Sequence, residues 1–295
     1  MAERVFFIIN KYSGNGFEPG IDGKIIDACA AANLEGTIEF TRSRGHAIEL
    51  AAQAVAQGFL RVFAMGGDGT VNEVACSLVN TSVSLGIIPS GSGNGLARHL
   101  RVPLVTQAAL GQLTQYKTIS MDTLRINGGL SVNVSGFGFD GHVASQFGKD
   151  GTRGLFGYAK LVLGEFLTYK EFDIRAEADG QVTTHRAFMV ALANASQFGN
   201  NAQVAPDASV SDGVLDVCFI RRIGIAEAIP FLMKMFRGKI GQSRFVTIIK
   251  AKHFHAELST VQPIHLDGEP GTPSKIFDVQ IQPASLRVIV PNVTV

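Results

Sequence analysis

The stretch LRVFAMGGDGTVNEVACSLV, residues 60–79, carries three signals in order. Residues 60–65 form a short apolar run of strand length, and Gly66, Gly67 and Gly69 break it. From Thr70 onward Val71, Val74, Ala75, Leu78 and Val79 recur at i, i+3, i+4, i+7 and i+8, one apolar face of a helix over 70–79. A strand, a glycine loop and a helix N-terminus make an anion site. Backbone N–H groups converge there, and glycine lets a phosphate approach the main chain. The arrangement recurs in SLGIIPSGSGNGLAR, residues 84–98, where a strand over 84–89 enters Ser90, Gly91, Ser92, Gly93 and Asn94 and then a helix over 95–100. Either loop alone reads equally well as a tight turn; in tandem, on successive strands, they meet where open α/β sheets bind ligands.

Working outward, strands over 4–10 and 36–41 alternate with helices over 23–32 and 47–57. This predicts a doubly wound parallel sheet. After about Met121 the texture turns β-rich: strands over 173–178 and 181–185 flank Asp179-Gly180, a pair suited to a two-residue hairpin turn. More strands are expected over 187–193, 214–220, 244–250, 253–258 and 278–282, with helices near 155–169 and 225–236. The expected fold is α/β plus β: an α/β domain over 1–121, to which a tail at about 286–295 returns, and a mostly antiparallel β-rich domain over 122–285.

Composition narrows the function. The chain has 295 residues, with 26 Lys and Arg against 25 Asp and Glu for a net charge of +1. A near-neutral chain has no general attraction for nucleic acid, and none is expected as a partner. Hydrophobic residues at 46% exclude a disordered chain, yet no apolar run reaches the ~18 residues of a membrane span. Three scattered cysteines, Cys29, Cys76 and Cys218, and the lack of a leader-like N-terminus favour a reducing, cytoplasmic setting. The glycine surplus, 33 residues, is roughly 11% of the chain against a usual ~7%.

The loops are not a P-loop, since G-x-x-x-x-G-K-[ST] is absent. Nor is Asn10 to Gly16 a G-x-G-x-x-G dinucleotide fingerprint. The series of motifs, however, resembles the diacylglycerol kinase catalytic-domain family, which includes sphingosine kinases and bacterial lipid kinases. It comprises Gly66-Gly67-Asp68-Gly69-Thr70-Val71-Asn72-Glu73-Val74, Pro89 to Arg98, Thr41 with Gly45-His46-Ala47, Gly136-Phe137-Gly138-Phe139-Asp140, Ala205-Pro206 with Ser211-Asp212-Gly213, and Leu266-Asp267-Gly268-Glu269-Pro270. The matches run from Asn10 to Pro270 in the family's order. Lys11 departs from it, standing where the family usually has proline.

The resemblance implies an ATP-dependent lipid kinase with its active site in a cleft between the two domains. Carried over residue by residue, it implies ATP contacts at Asn10, Lys11, Tyr12, Ser13, Gly14, Thr41, Gly66, Gly67, Asp68, Gly69, Thr70, Val71, Asn72 and Ser92, with Arg153 near the terminal phosphates. It also implies acid–base chemistry in Asp267-Gly268-Glu269. Glu269 is the first choice as proton acceptor, Asp267 the second and Asp68 a third carboxylate. Phosphoryl transfer asks for these parts: cations on the phosphates and a carboxylate on the acceptor hydroxyl. In bacterial relatives Mg²⁺ is held by an aspartate and flanking carbonyls, here Asp212 with Ser209 and Val214, supported by Asp122. Oxygen-only ligation suits this hard cation. In isolation Asp267-Gly268-Glu269 is equally well a plain turn, and a type I turn is the lesser alternative for Ser211-Asp212-Gly213.

The acceptor expected is a lipid at a membrane surface: diacylglycerol, a sphingoid base or a related amphiphile. The protein would be cytoplasmic or peripheral, and the sequence leaves its oligomeric state open, a homodimer included. The apolar segments 137–142 and 155–167 are candidates for the lipid cleft, although an apolar helix is more often core. Residues 225–236, followed by Arg237 and Lys239, could touch a membrane, but a solvated helix end is the better reading. Two alternatives stand beside the lipid kinase: an NAD kinase, whose superfamily shares the Gly-Gly-Asp-Gly loop, and a non-catalytic nucleotide-gated lipid-binding protein.

Overall fold

The computed structural model describes residues 2–14, 18–146 and 155–292, with side chains from residue 161 onward in the last stretch. In chain order the elements are β1 (Glu3–Ile9), α1 (Ile21–Ala31), β2 (Leu34–Phe40), α2 (His46–Ala56), β3 (Arg61–Gly66), α3 (Asp68–Leu78), β4 (Ser84–Pro89), α4 (Gly95–His99) and α5 (Thr106–Ala109). There follow β5 (Tyr116–Ile126), β6 (Gly129–Ser131), β7 (Val134–Gly138), α6 (Phe139–Gln146), α7 (Leu155–Phe166), β8 (Phe172–Ala178), β9 (Gln181–Ala187), β10 (Met189–Ala193) and β11 (Leu215–Ile220). The chain ends with α8 (Ile225–Phe236), β12 (Val246–Ala251), β13 (His253–Gln262), β14 (Ile264–Leu266), β15 (Glu269–Pro270) and β16 (Ser274–Pro291). They form two compact units, residues 1–121 with 284–295, and residues 122–283.

In the first unit β2, β1, β3 and β4 lie side by side in that order, all parallel. Covered on both faces, such strands read as continuous apolar runs, and every residue of β3 and β4 is buried. The register puts Phe7 beside Phe63 and Phe63 beside Gly86. The two rings stack at 5.1 Å, and a Cβ on Gly86 would overlap the Phe63 ring. On α3 the predicted face, Val71, Val74, Ala75 and Leu78, is buried. The last part of β16 completes the sheet: Arg287 and Val288 pair in parallel with Ser84 and Leu85 of β4.

The second unit holds two antiparallel layers. One runs β12-β11-β10-β7-β14-β15; the other places β16, β13, β8 and β9 side by side, with β5 against β16 and β6. Their inner faces share one apolar cluster, in which Phe137 of β7 stacks on Phe277 of β16 at 4.2 Å and Phe219 of β11 meets Phe254 of β13 edge-on. Asp179-Gly180 closes the β8–β9 hairpin, with φ of 48° and 84°. Positive φ at both positions is what a type I′ turn demands.

Several strands depart from the sequence expectation. β5, β6, β7, β14 and β15 were not expected; β7 was missed because Val134–Gly138 reads as a glycine-rich motif rather than a strand. β16 spans 18 residues rather than the five expected over 278–282, because Pro283 and Ala284 interrupt the alternation. Ala284 sits at φ 51°, a left-handed conformation uncommon for a side chain with a Cβ.

Candidate functional site

Parallel register brings three loops of the first unit to one sheet edge. Ile9 lies beside Met65 and Gly66 beside Pro89, so the chain leaves β1, β3 and β4 at one level. Asn10 then braces the next loop, its Nδ2 donating to Thr70 Oγ1 at 2.9 Å while its Oδ1 accepts from the Tyr12 N–H at 2.9 Å. Ser13 Oγ and Ser90 Oγ lie 2.8 Å apart. Between the β3 and β4 loops the contact is backbone on backbone. A Cβ on Gly91 would stand 2.5 Å from the Gly67 Cα and 2.9 Å from Asn94 Oδ1. Asn94 locks its own loop by accepting from the Gly91 N–H at 3.0 Å and donating to the Gly91 carbonyl at 2.8 Å. Only glycine fits at this approach, which packs the main chain of both loops together.

In α3 the first helical hydrogen bond runs from the Val71 N–H to the Gly67 carbonyl, 3.1 Å. The N–H groups of Asp68, Gly69 and Thr70 thus stand outside the helical ladder, at the positive end of the helix. Of the predicted nucleotide residues, Gly67, Asp68, Gly69 and Asn72 are half-buried and Lys11, Tyr12, Gly14 and Ser92 exposed. Thr41, Gly66, Thr70 and Val71 are buried. Val71 belongs to the core, so only its main chain is available to a ligand. Lys11 lies 4.3 Å from the Phe40 ring centroid. Arg153 falls outside the described residues.

Asp68 serves structure as well as charge: its Oδ1 accepts from the Leu96 N–H at 3.2 Å, in the first turn of α4. Glu73, which the sequence did not single out as a site residue, accepts the N–H groups of Gly45 and Ala47 at 2.9 and 3.3 Å. A carboxylate on these orphan donors caps α2 and ties Gly45-His46-Ala47 to α3.

The second unit separates the two carboxylates of Asp267-Gly268-Glu269. Asp267 (φ 48°) and Gly268 (φ 92°) form the hairpin turn between β14 and β15, with Leu266 paired to Glu269. Asp267 is buried, and its carboxylate accepts from Ser131 Oγ at 2.7 Å, the Val132 N–H at 2.8 Å and the Asn133 N–H at 3.0 Å. Its own N–H donates to Ser135 Oγ at 3.1 Å. Glu269 is exposed. One carboxylate is committed to holding the turn, and the other is presented by it.

His265 and Asp140 brace the same turn. The His265 ring is buried; its Nδ1 accepts from the Gly268 N–H at 3.0 Å and its Nε2 lies 3.2 Å from Asp140 Oδ2. With Nδ1 an acceptor, the proton of the neutral ring sits on Nε2 and points at Asp140. A Cβ on Gly136 would overlap Asp140 Oδ2, so the glycine of this motif makes room for the carboxylate. Burial, and secondarily the Asp140 charge, holds the Tyr169 phenol above its ordinary value. Neither His265 nor Asp140 was given a role from sequence; Asp140 ends one motif and His265 stands just before another, but their contact is between residues 125 positions apart.

At the Ser211-Asp212-Gly213 loop, Asp122 is buried and its Oδ2 accepts the Gly213 N–H at 2.8 Å. Asp212 accepts the Val214 N–H at 3.3 Å, an Asx turn. Lys250 Nζ lies 3.2 Å from both Asp212 and Asp216. Burial raises the Asp216 carboxyl above its usual value and Lys250 partly restores it. Among the described residues no three His, Cys, Asp or Glu side chains converge on a metal position. A cation here would therefore take one carboxylate, Asp212, with main-chain oxygens, and share it with Lys250. That donor set fits a hard, oxygen-seeking ion.

Of the lipid-cleft segments, Phe137 and Phe139 are buried, Phe139 among Phe166, Phe188 and Tyr169. The side chains of Leu155 and Phe156 lie outside those described. Leu163 and Leu167 are exposed.

Comparison with known proteins agrees with this layout. The family model described as "Diacylglycerol kinase catalytic domain" matches residues 4–126, and that described as "YegS C-terminal NAD kinase beta sandwich-like domain" matches residues 133–290. A "Probable lipid kinase YegS-like" of Xanthomonas campestris pv. campestris is 30% identical over 268 residues, covering 86% of each chain. One of Pseudomonas syringae pv. syringae is 30% identical over 274 residues, covering 90% of this chain and 88% of the relative. A crystal structure of a diacylglycerol kinase from Bacillus anthracis superposes with a TM-score of 0.75 at 23% identity, covering 98% of this chain and 97% of that one. At that identity the likeness shows the fold.

Proposed function

The chain belongs to the diacylglycerol kinase catalytic-domain family, and on that premise we propose that it transfers the γ-phosphate of ATP to a lipid hydroxyl. The observation that carries the reading is the contact of Gly67 with Gly91, with the N–H groups of Asp68, Gly69 and Thr70 outside the helical ladder. Backbone donors at a helix N-terminus hold phosphates without requiring a basic surface, in keeping with a net charge of +1.

In this reading the Asn10–Gly14 loop, Thr41, the 66–72 turn and Ser92 hold ATP, with Arg153 toward the terminal phosphates. Thr70 and Val71 contribute main chain rather than side chain. Glu269, exposed at the end of the turn, takes the proton of the acceptor hydroxyl. Asp267, buried and accepting from three donors, positions that turn and is a positioning residue rather than the base. Asp68 anchors α4 and contributes its charge near the phosphates. Mg²⁺, when bound, neutralises developing phosphate charge or steadies the fold. Ser209, Asp212 and Val214 would hold it, with Asp122 fixing Gly213. The acceptor is diacylglycerol, a sphingoid base or a related amphiphile.

The test is incubation with ATP and a panel of lipids in mixed micelles, with NAD as a separate acceptor. Phosphorylated lipid is expected. Phosphorylated NAD alone would replace this reading with the NAD kinase, and ATP binding without any phosphorylated product would favour a non-catalytic lipid-binding protein.

A further inference from the structure

Helix α8 carries its apolar side outward. Ile225 and Ile229 are 76% and 70% exposed, and Leu232, Met233 and Phe236 are each at least 44% exposed. These positions, i, i+4, i+7, i+8 and i+11, fall within about 100° of one another around a helix of 3.6 residues per turn. The opposite side is the one that packs: Phe231 is buried in the cluster beneath β10 and β11, with Met235 against it. A surface helix ordinarily turns its polar side to water, so an exposed apolar face of this extent marks an interaction site.

Charge identifies the occupant. Residues 225–244 carry Lys234, Arg237, Lys239 and Arg244 against Glu227 alone, a net of +3 in a chain whose total is +1. Glu227 is already paired with Arg244 at 3.0 Å. Arg237 directly follows the helix, at the edge of the apolar arc. Neither it nor Lys239 is ion-paired among the described residues, and both are exposed. Arg222 ties the approach to α8 to the end of α7, donating to the Leu167 carbonyl at 2.8 Å, and Leu163 and Leu167 of that neighbouring stretch are 71% and 60% exposed. Apolar residues flanked by cations suit an anionic lipid surface, where the side chains enter the headgroup boundary and the cations meet lipid charge. A second copy of the same face would set +3 against +3.

We propose that the exposed face of α8, Ile225, Ile229, Leu232, Met233 and Phe236 with Arg237 and Lys239, docks the protein on anionic membranes. This deepens the lipid-kinase reading by assigning the surface through which a water-soluble body would reach a bilayer-held acceptor.

The test is flotation of the full chain, without ATP, on vesicles of phosphatidylcholine with and without phosphatidylglycerol. Wild type should float with the anionic vesicles. Ile229→Asp should lower that partition by about tenfold or more, and Arg237→Ser with Lys239→Ser by about fivefold per cation on anionic vesicles only. Both variants should keep the thermal midpoint, since the side chains are exposed. Unchanged flotation of Ile229→Asp at an unchanged midpoint overturns the proposal. So does a wild-type dimer that Ile229→Asp dissolves without altering vesicle binding, which would make the face a self-association surface. Turnover on a short-chain lipid dissolved as monomers separates this from the kinase reading. Ile229→Asp should retain it while losing turnover on vesicles. Flotation that depends on Ile229, with no turnover of any lipid, upholds the docking face and removes the kinase reading.

Discussion

Replacing Asp267 by Asn separates holding the turn from performing chemistry. Asn tolerates the left-handed conformation at φ 48° and keeps the shape of the side chain, so only charge and one acceptor are lost. The native carboxylate takes two donors on Oδ1, Ser131 Oγ and the Asn133 N–H, and one on Oδ2, the Val132 N–H. The Asn oxygen will keep the pair of donors, and its NH₂ will then face the Val132 N–H, donor against donor. Hydrogen bonds to a charged group contribute about 1.5–3 kcal/mol and neutral ones about 0.5–1.5. Losing one charged bond and weakening two gives a cost of about 3.5–6 kcal/mol. For a unit of this size that is a fall in melting temperature of roughly 7–24 °C. Glu269→Gln, at an exposed position, should cost within about 0.5 kcal/mol yet abolish phosphoryl transfer, with nucleotide affinity intact. Calorimetry and urea unfolding measure the first effect; product formation and ATP-analogue titration measure the second. If Asp267→Asn unfolds within about 1 kcal/mol of wild type and is catalytically dead, the buried carboxylate is the reacting group and the assignment is reversed.

Gly91→Ala should force the two loops apart, because the added methyl would meet the Gly67 backbone. Titration with an ATP analogue should show affinity reduced by about tenfold or more, and unchanged affinity would refute the packed-loop account. Lys250→Met removes the cation that offsets burial of Asp216. The folded carboxyl then stays protonated to a higher pH than the unfolded one. Stability should therefore be least affected below about pH 4 and fall as pH rises past it, as urea midpoints across pH would record. Asp179 has the opposite sign. The N–H groups of His253 and Lys252 hold its carboxyl below the usual value, so its contribution is present above about pH 4 and lost as pH falls through the depressed value. Asp179→Asn should cost about 1 kcal/mol or less at neutral pH, given its exposure, and nothing once wild type is protonated; a cost that persists in acid would locate the effect in the turn backbone.

The α/β half was legible because burial on both faces writes parallel strands as plain apolar runs, and because the Gly66–Gly69 and Gly91–Gly93 loops interrupt those runs at strand ends. The second half was read less fully. Val134–Gly138 lies in a strand, but Gly136 and Gly138 are there to admit a carboxylate and a turn, and they mask the β pattern. That Asp267 is buried under hydrogen bonds while Glu269 is exposed could not be read from sequence, since the donors to Asp267 come from residues 131–133, more than 130 positions away. Glu73 and His265 act on the start of α2 and on Asp140, contacts that no local spacing encodes. Helical periodicity on α8 reports that an apolar stripe exists but not which way it faces; that is decided by Phe231 and Met235, whose side of the helix supplies the packing.

The pairing of Arg287 and Val288 with β4 bears on how the chain is made. A strand of the N-terminal unit arrives after the whole of the C-terminal unit has been synthesised. At about 5–20 residues per second, β4 leaves the ribosome with one flank unsatisfied for roughly ten seconds or more. During that interval the nascent sheet presents an open edge of buried-type residues, Ser84 to Pro89. Translation that stalls just before residue 287 leaves the N-terminal sheet without β16 beside β4, although residues 122–283 are already made. β16 thus acts as a late check on synthesis: the N-terminal sheet can close only once residues 287–288 have been made, and chaperone dependence should concentrate in the window between β4 and β16.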